Sequence, residues 1–392
     1  MSTHFNYIVI GAGIVGAATA YKLRQRYPES SIAVIEKEPD AAQHQSSHNS
    51  GVIHAGIYYA PGSFKARLCR AGLSATYEFA ADNGIATKQT GKLLVATNRA
   101  ELERMRALSA RARDNGVAVA DLSEAELGEI EPNISGLGAI KVADTGITDY
   151  GAIAKALLAR SEATCLFDAE VTAIAESAAS ITVDTLGESY AAKQLIACAG
   201  LQADRLAKLA SVPCDVSIVP FRGDFYELQA RYQTMFSHLI YPVPDPSLPF
   251  LGVHLTHHID GSVSVGPSAM LALAREQYGK FKFDFEDALD IVSKRGFWRL
   301  LARYPRASAS ELAMAISKRR YAKSARRYCP SIQLEDFTAH RCGIRAQAVT
   351  ARGELVHDFL FARTDRMMHV LNAPSPAATS ALPIAEHLID SL

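Results

Sequence analysis

Short apolar runs alternate with helical stretches from the start of the chain. Residues 7–10 form a β-branched apolar run that predicts a strand, and Gly11-Ala12-Gly13-Ile14-Val15-Gly16 follows at once. Residues 17–26 carry apolar positions at helical spacing, and residues 31–35 make a second apolar run that closes on Glu36. Strand, glycine turn, helix, strand and acid thus fall in the order of a dinucleotide-binding βαβ unit. Further on, residues 100–131 predict two helices, broken at Asn115-Gly116 and ended by Pro132. An amphipathic helix is expected over 152–161, and strands over 170–175 and 180–185. Residues 195–200 read as a buried strand ending in a glycine turn. From 216 to 265 the pattern becomes strands with Pro-rich connections, which predicts an antiparallel sheet.

Each glycine of the first turn has a physical task. Gly11 makes the tight turn, Gly13 lets backbone approach a pyrophosphate, and Gly16 lets helix pack on sheet. The helix N-terminus, with Ile14 and Val15, then offers N–H groups to phosphates. Glu36 is placed to accept from ribose hydroxyls, with Lys37 beside it. The small polar residues that follow, Ser46, Ser47, His48, Asn49, Ser50 and Gly51, lead into Val52 and offer many donors along a path. That suits the long diphosphate and ribityl chain of FAD better than a nicotinamide that must leave.

Composition narrows the class. The 392 residues suit two or three structural units. With 41 Lys plus Arg against 41 Asp plus Glu, no global field draws the chain to nucleic acid, which is excluded as a partner. Six scattered Cys without a C-x-x-C pair indicate reduced thiols in the cytoplasm. Residues 6–21 lack charge but are too short for a spanning helix.

The string His48-Asn49-Ser50-Gly51-Val52-Ile53-His54-Ala55-Gly56-Ile57-Tyr58-Tyr59 closely resembles the L-2-hydroxyglutarate dehydrogenase and oxidase family of the D-amino-acid oxidase superfamily. The similarity continues through Gly91-Lys92-Leu93, Thr145 to Tyr150, Val219 to Gly223, Tyr241 to Pro246, Gly252 to Thr256, Gly343 to Gln347 and Asn372 to Thr379. It implies an α/β chain: a Rossmann-like FAD-binding domain from 1–85, 146–215 and 336–392, and an α+β substrate domain from 86–145 and 216–335 on a mainly antiparallel sheet. It also implies FAD, taken as noncovalent, and oxidation of L-2-hydroxyglutarate, a small dicarboxylate hydroxy acid, to 2-oxoglutarate. Electrons would pass to a quinone, a dye or oxygen. Action on another 2-hydroxy acid or a small amino acid is the alternative, because His257-His258 stand where the family often has a basic residue.

Oxidising an alcohol beside a carboxylate needs a hydride acceptor, a base for the hydroxyl proton and a cation for the carboxylate. His54 is the candidate base, a flavin hydrogen bond or covalent attachment being its other readings. Arg345 resembles the carboxylate-binding arginine of glycine-oxidase-like relatives. Tyr241 and His254 would come from the sheet that roofs the flavin. Tyr58, Tyr226, His254, Thr256 and Gln347 are candidates for the second carboxylate. Val171, Ala199 and Gly200 are expected along the nucleotide. Asn372, Pro374, Ser375, Ala377, Ala378 and Thr379 should form a turn and helix start whose dipole faces the flavin pyrimidine. His44, His48 and His54 lie on a loop with no acidic partner close by, so no metal is expected. Residues 294–306 interleave Phe297, Trp298, Leu300 and Leu301 with Lys and Arg. Two readings stay open there: peripheral docking on the inner membrane, or a helix whose apolar stripe faces the core.

Overall fold

The computed structural model describes residues 3–246 and 252–392. Its first sheet has eight strands. The strand β1 (Thr3–Ile10) lies between β2 (Ile32–Ile35) and Ser189–Ala197, parallel to both, and Thr164–Leu166 extends the parallel run beyond β2. The far edge of Ser189–Ala197 is shared by Ile181–Thr185, antiparallel, and Met367–Asn372, parallel. Both faces of its parallel centre are buried, as a parallel sheet requires. Val9, Val34 and Ile196 pack into one core with the helix α1 (Ile14–Arg26) and the helices Tyr150–Ser161 and Ala381–Asp390, while Ile8, Ile35 and Leu195 face the helix Ala203–Leu209. Gly16 allows the close approach of α1: a Cβ there would lie 1.9 Å from the Gly11 carbonyl oxygen.

The second sheet has nine strands, dominated by the antiparallel pair Val216–Leu228 and Phe337–Thr350. Leu239–Pro242 pairs parallel with Lys92–Ala96 and antiparallel with His254–His257, so the expected antiparallel character holds with one exception. Residues 247–251 of the expected sheet region lie outside the described residues. Fully buried Arg275 joins the two units by pairing with Asp204, at 2.6 Å, and Asp290, at 2.7 Å.

Several expectations shift. Phe337–Thr350 belongs to the second sheet, which moves the last division from 336 to beyond Thr350. Arg99–Asp114 and Glu124–Ile130 are the two helices around Asn115-Gly116, but the strand Val119–Ser123 stands between them. That strand is a mostly exposed edge, so no apolar alternation marks it. The last helix begins at Ala381 rather than 377, because consecutive turns occupy 377–380. In the basic segment, Phe297 and Leu300 of the helix Arg295–Arg303 are buried against Val219 and Val349, while Trp298 is 56% exposed. No helix among the described residues is long and apolar enough to cross a membrane.

Candidate active site

A cleft of about 1850 Å³ opens where β1, β2, Ser189–Ala197 and Met367–Asn372 end, and continues beneath the second sheet. Ligands of open α/β sheets bind at such C-terminal strand ends. Its volume exceeds the ~300–1,000 Å³ usual for small-molecule sites, as a dinucleotide cofactor plus substrate demands.

The glycine turn forms one end. Gly11 has φ +99° and lies so close to the next strand that a Cβ would sit 2.6 Å from the Cys198 carbonyl oxygen. At Gly13 a Cβ would meet only the Ser46 hydroxyl, at 3.3 Å, so its open side faces the cleft. The Ile14 N–H donates to that hydroxyl at 2.8 Å. Glu36 accepts from the N–H groups of Ala12 at 2.7 Å and Glu38 at 3.0 Å, which fixes the acid at the rim. No acidic residue sits in the first turn of α1, and its positive end stays uncompensated.

His48 stacks on Tyr278 at 3.8 Å and sets its Nδ1 3.3 Å from the Cys342 carbonyl oxygen. Beside it, contrary to expectation, the fold gives His44 two acidic partners. Ligand atoms of Glu38, His44 and Glu276 lie within 4.8 Å of one another. The Lys37 ammonium already pairs with both carboxylates, at 2.6 and 2.8 Å, and supplies the balancing charge.

At the other end the His54 loop is fixed through its backbone. The His54 N–H donates to Thr379 Oγ1 at 3.1 Å, and the Cys69 thiol donates to the His54 carbonyl at 3.2 Å. The ring lines the cleft, where burial, then the charges of Lys92 and Lys65, hold its pKa well below 6.5. A neutral imidazole is the form a base needs. Tyr241 and His254 stack at 3.9 Å with 8° between planes, and the His254 Nδ1 lies 2.8 Å from Thr256 Oγ1. His254 too is held well below 6.5, by burial, then Arg345, then Lys92. Arg345 comes from Phe337–Thr350, opposite Phe221, and lines the same cleft. Gln347 also lines it, with its amide nitrogen donating to Ala348 and Val356 carbonyls at 3.0 and 2.9 Å.

Of the remaining expected residues, Ile14, Val15, Lys37, Asn49, Ser50, Val52, Tyr58, Val171, Ala199, Gly200, Pro374, Ser375, Ala377 and Ala378 line the cleft. Others support it from behind. Gly16 packs α1, the Ser47 hydroxyl lies against Gly151, and Gly51 turns the chain at φ +68° into Val52–Ile53. Asn372 donates to the Val356 and Asp358 carbonyls, Thr379 holds His54, and Thr256 holds His254. Tyr226 is a correction: it packs edge-on against Tyr321 and Phe337 inside the second sheet's own core, off the cleft. The His257-His258 departure also points away, with His257 Nε2 on the Phe236 carbonyl and His258 Nε2 on Ser264 Oγ.

Sequence reasoning missed Lys65, Tyr59 and Tyr150 on the wall, and Lys92 against it. Lys65 and Lys92 both have pKa values pulled down to about 8, first by burial. The only local sign was a lysine opening the apolar strand Lys92–Ala96.

The family model for FAD dependent oxidoreductases (DAO) matches residues 6–391. L-2-hydroxyglutarate dehydrogenase of Escherichia coli is 46% identical, with 99% of this chain and 93% of that protein covered. The mitochondrial L-2-hydroxyglutarate dehydrogenase of Homo sapiens is 38% identical, at 100% and 89% coverage. FAD-bound L-alpha-glycerophosphate oxidase from Mycoplasma pneumoniae shares the fold, with TM-score 0.81, 22% identity, and 98% and 94% of the two chains covered. The residues fit FAD: the cradle at Gly11 and Gly13, the rim acid Glu36 and the bare helix end suit its dinucleotide, and the wall from Ala373 to Ala378 suits the ring end. The chain belongs to the DAO family of FAD-dependent oxidoreductases and, within it, to the L-2-hydroxyglutarate dehydrogenases.

Proposed function

We propose that this chain oxidises L-2-hydroxyglutarate to 2-oxoglutarate. The observation that carries the reading is the meeting, in one cleft, of the Arg345 guanidinium with two imidazoles held neutral, His54 and His254. FAD, when bound, supplies the acceptor for hydride from the hydroxyl-bearing carbon. Arg345 grips the neighbouring carboxylate through its planar fork, which sets orientation as well as charge. His54 Nδ1 or Nε2 takes the hydroxyl proton. Burial, then the charges of Lys92 and Lys65, keep that imidazole unprotonated before substrate arrives. Cys342 directs its thiol to the Tyr278 carbonyl and is off the cleft wall, which supports noncovalent FAD. With His257-His258 turned away from the cleft, the departure that favoured another substrate loses its support.

The test is a dye-linked assay across L- and D-2-hydroxyglutarate, shorter 2-hydroxy acids and small amino acids, with 2-oxoglutarate measured directly. Preference for the L-dicarboxylate is expected; preference for a small amino acid would replace the reading.

The electrons leave mainly to a quinone or dye rather than to oxygen, from a cytoplasmic protein docked peripherally on the inner membrane. All six cysteines are thiols, in keeping with a reducing compartment. Phe285, Leu289 and Val292 form an exposed stripe at helical spacing on Phe285–Ser293, and the Trp298 indole N–H donates to the Val292 carbonyl at 2.8 Å. Phe281 and Phe283 are exposed just before it, and Lys280, Lys282, Arg295 and Arg299 are exposed around the set. An apolar patch fringed by cations suits an anionic lipid surface. Sedimentation with anionic but not neutral vesicles, weakened in Phe285→Ser/Trp298→Ser, is the expected result. Peroxide formation matching turnover, without sedimentation, would favour oxygen as acceptor.

A further inference from the structure

Lys92 opens the strand Lys92–Ala96, and its side chain is 1% exposed. The parallel register sets Leu239 beside Lys92 and Tyr241 beside Leu94, and Ile240 faces Leu255 on the next strand. Side chains alternate along strands, so Lys92, Tyr241 and His254 project from the same face of the sheet, toward the cleft. The Lys92 ammonium lies 4.5 Å from the Tyr241 ring centroid and 5.3 Å from that of Tyr58, and both tyrosines line the cleft.

What these groups lack is an acceptor. Among the described residues, the Lys92 ammonium meets the Tyr241 and Tyr58 rings and pairs with no carboxylate or carbonyl. The buried Tyr58 hydroxyl has no partner either. Both are donors, and buried donors without acceptors are costly. The two aromatic faces offset part of that cost for the cation. The complement of an ammonium beside a phenol O–H is an anionic oxygen. Arg345 and Lys92 both act on the His254 imidazole through their charges, as Lys92 and Lys65 do on that of His54, so this end of the cleft is cationic.

We propose that the Lys92 ammonium and the Tyr58 hydroxyl seat the second carboxylate of a dicarboxylate hydroxy acid, leaving the carboxylate beside the hydroxyl to Arg345. The inference rests on the substrate reading above and deepens it: Lys92 is the residue that separates dicarboxylates from monocarboxylates. A monocarboxylate of the same length would leave the buried ammonium and phenol unpaired, which is how polar sites reject analogues lacking a partner group.

The experiment uses the FAD holoenzyme and the variants Lys92→Met, Lys92→Gln and Tyr58→Phe, each checked for flavin content and Tm. Lys92→Met keeps the chain's length without its charge, and both lysine variants are expected to retain FAD. For L-2-hydroxyglutarate, kcat/KM should fall by at least about 100-fold in the lysine variants, mainly through KM, and by about 10-fold in Tyr58→Phe. For L-2-hydroxypentanoate, which lacks the second carboxylate, kcat/KM measured above neutral pH, where His54 is neutral with or without the Lys92 charge, should fall far less than for L-2-hydroxyglutarate. Glutarate, which lacks the hydroxyl, should perturb the flavin spectrum of the resting wild-type enzyme with a Kd raised at least about 100-fold in Lys92→Gln. Equal losses on both hydroxy acids, or an unchanged glutarate Kd, would overturn the seat. Lys92-dependent glutarate binding by an enzyme that oxidises no hydroxyglutarate would keep the seat and sink the substrate reading.

Discussion

Tyr150 and Thr379 hold their hydroxyl oxygens 2.7 Å apart, and the same Thr379 oxygen accepts the His54 N–H. One buried threonine thus ties the loop bearing the candidate base to the helix Tyr150–Ser161 and to the C-terminal turn. Thr379 was expected to touch the cofactor, and its place behind His54 gives a different outcome on substitution. Thr379→Val should keep its FAD but lower kcat by about 10-fold, since a small misplacement of a reacting group is expensive. Loss of FAD with normal kcat in the residual holoenzyme would restore the contact role.

Gly13 and Gly11 should fail differently. A side chain at Gly13 enters the open cleft and meets only Ser46, so Gly13→Val should fold and lose FAD. Gly11→Ala places a methyl group 2.6 Å from the Cys198 carbonyl oxygen at φ +99°, and should lower Tm of the apoprotein as well. Flavin content and apoprotein melting of the two variants check this; stoichiometric FAD in Gly13→Val would contradict the cradle.

Arg345→Ala should lower kcat/KM by about 30-fold or more, the consequence of losing ~2–5 kcal/mol from a desolvated charge pair. Arg345→Lys keeps the charge without the fork and should remain impaired. FAD content should stay normal in both. Steady-state kinetics with near-normal kcat/KM for the alanine variant would remove Arg345 from the carboxylate.

The pH profile follows from the burial of His54. Its folded pKa lies well below 6.5, so the neutral, proton-accepting form persists through neutral pH and is lost only as pH falls through that lowered value. Anaerobic flavin reduction at saturating substrate should be flat around neutrality, with its acid limb below pH 6.5. His54→Ala should slow reduction by ~10²–10⁴-fold and erase that limb. An unaltered reduction rate in the variant would exclude His54 as base.

The nucleotide end of the site was legible because its signal is local: Gly11 to Glu36 fixes strand, turn, helix and acid within one βαβ unit. The substrate end depends on strand pairing between distant segments. Gly223 and Phe225 line the cleft, so on the same strand Tyr226 points into the opposite core, and only the register of that sheet reveals it. The assignment of Phe337–Thr350 to the second sheet is likewise a pairing with residues more than a hundred positions away. Lys92 stands within the string Gly91-Lys92-Leu93, where nothing local marks a role, since a lysine at a strand start is ordinarily solvated. Its burial comes from Tyr58 and Tyr241, brought from elsewhere. His44 gained Glu276 in the same way.

The most direct measurement is the flavin spectrum of the purified holoenzyme before and after anaerobic addition of one equivalent of L-2-hydroxyglutarate. The expected result is bleaching of the oxidised flavin with one equivalent of 2-oxoglutarate formed, and no comparable change with the D-enantiomer. A spectrum unchanged by L-2-hydroxyglutarate, or bleached faster by a small amino acid, would contradict the account.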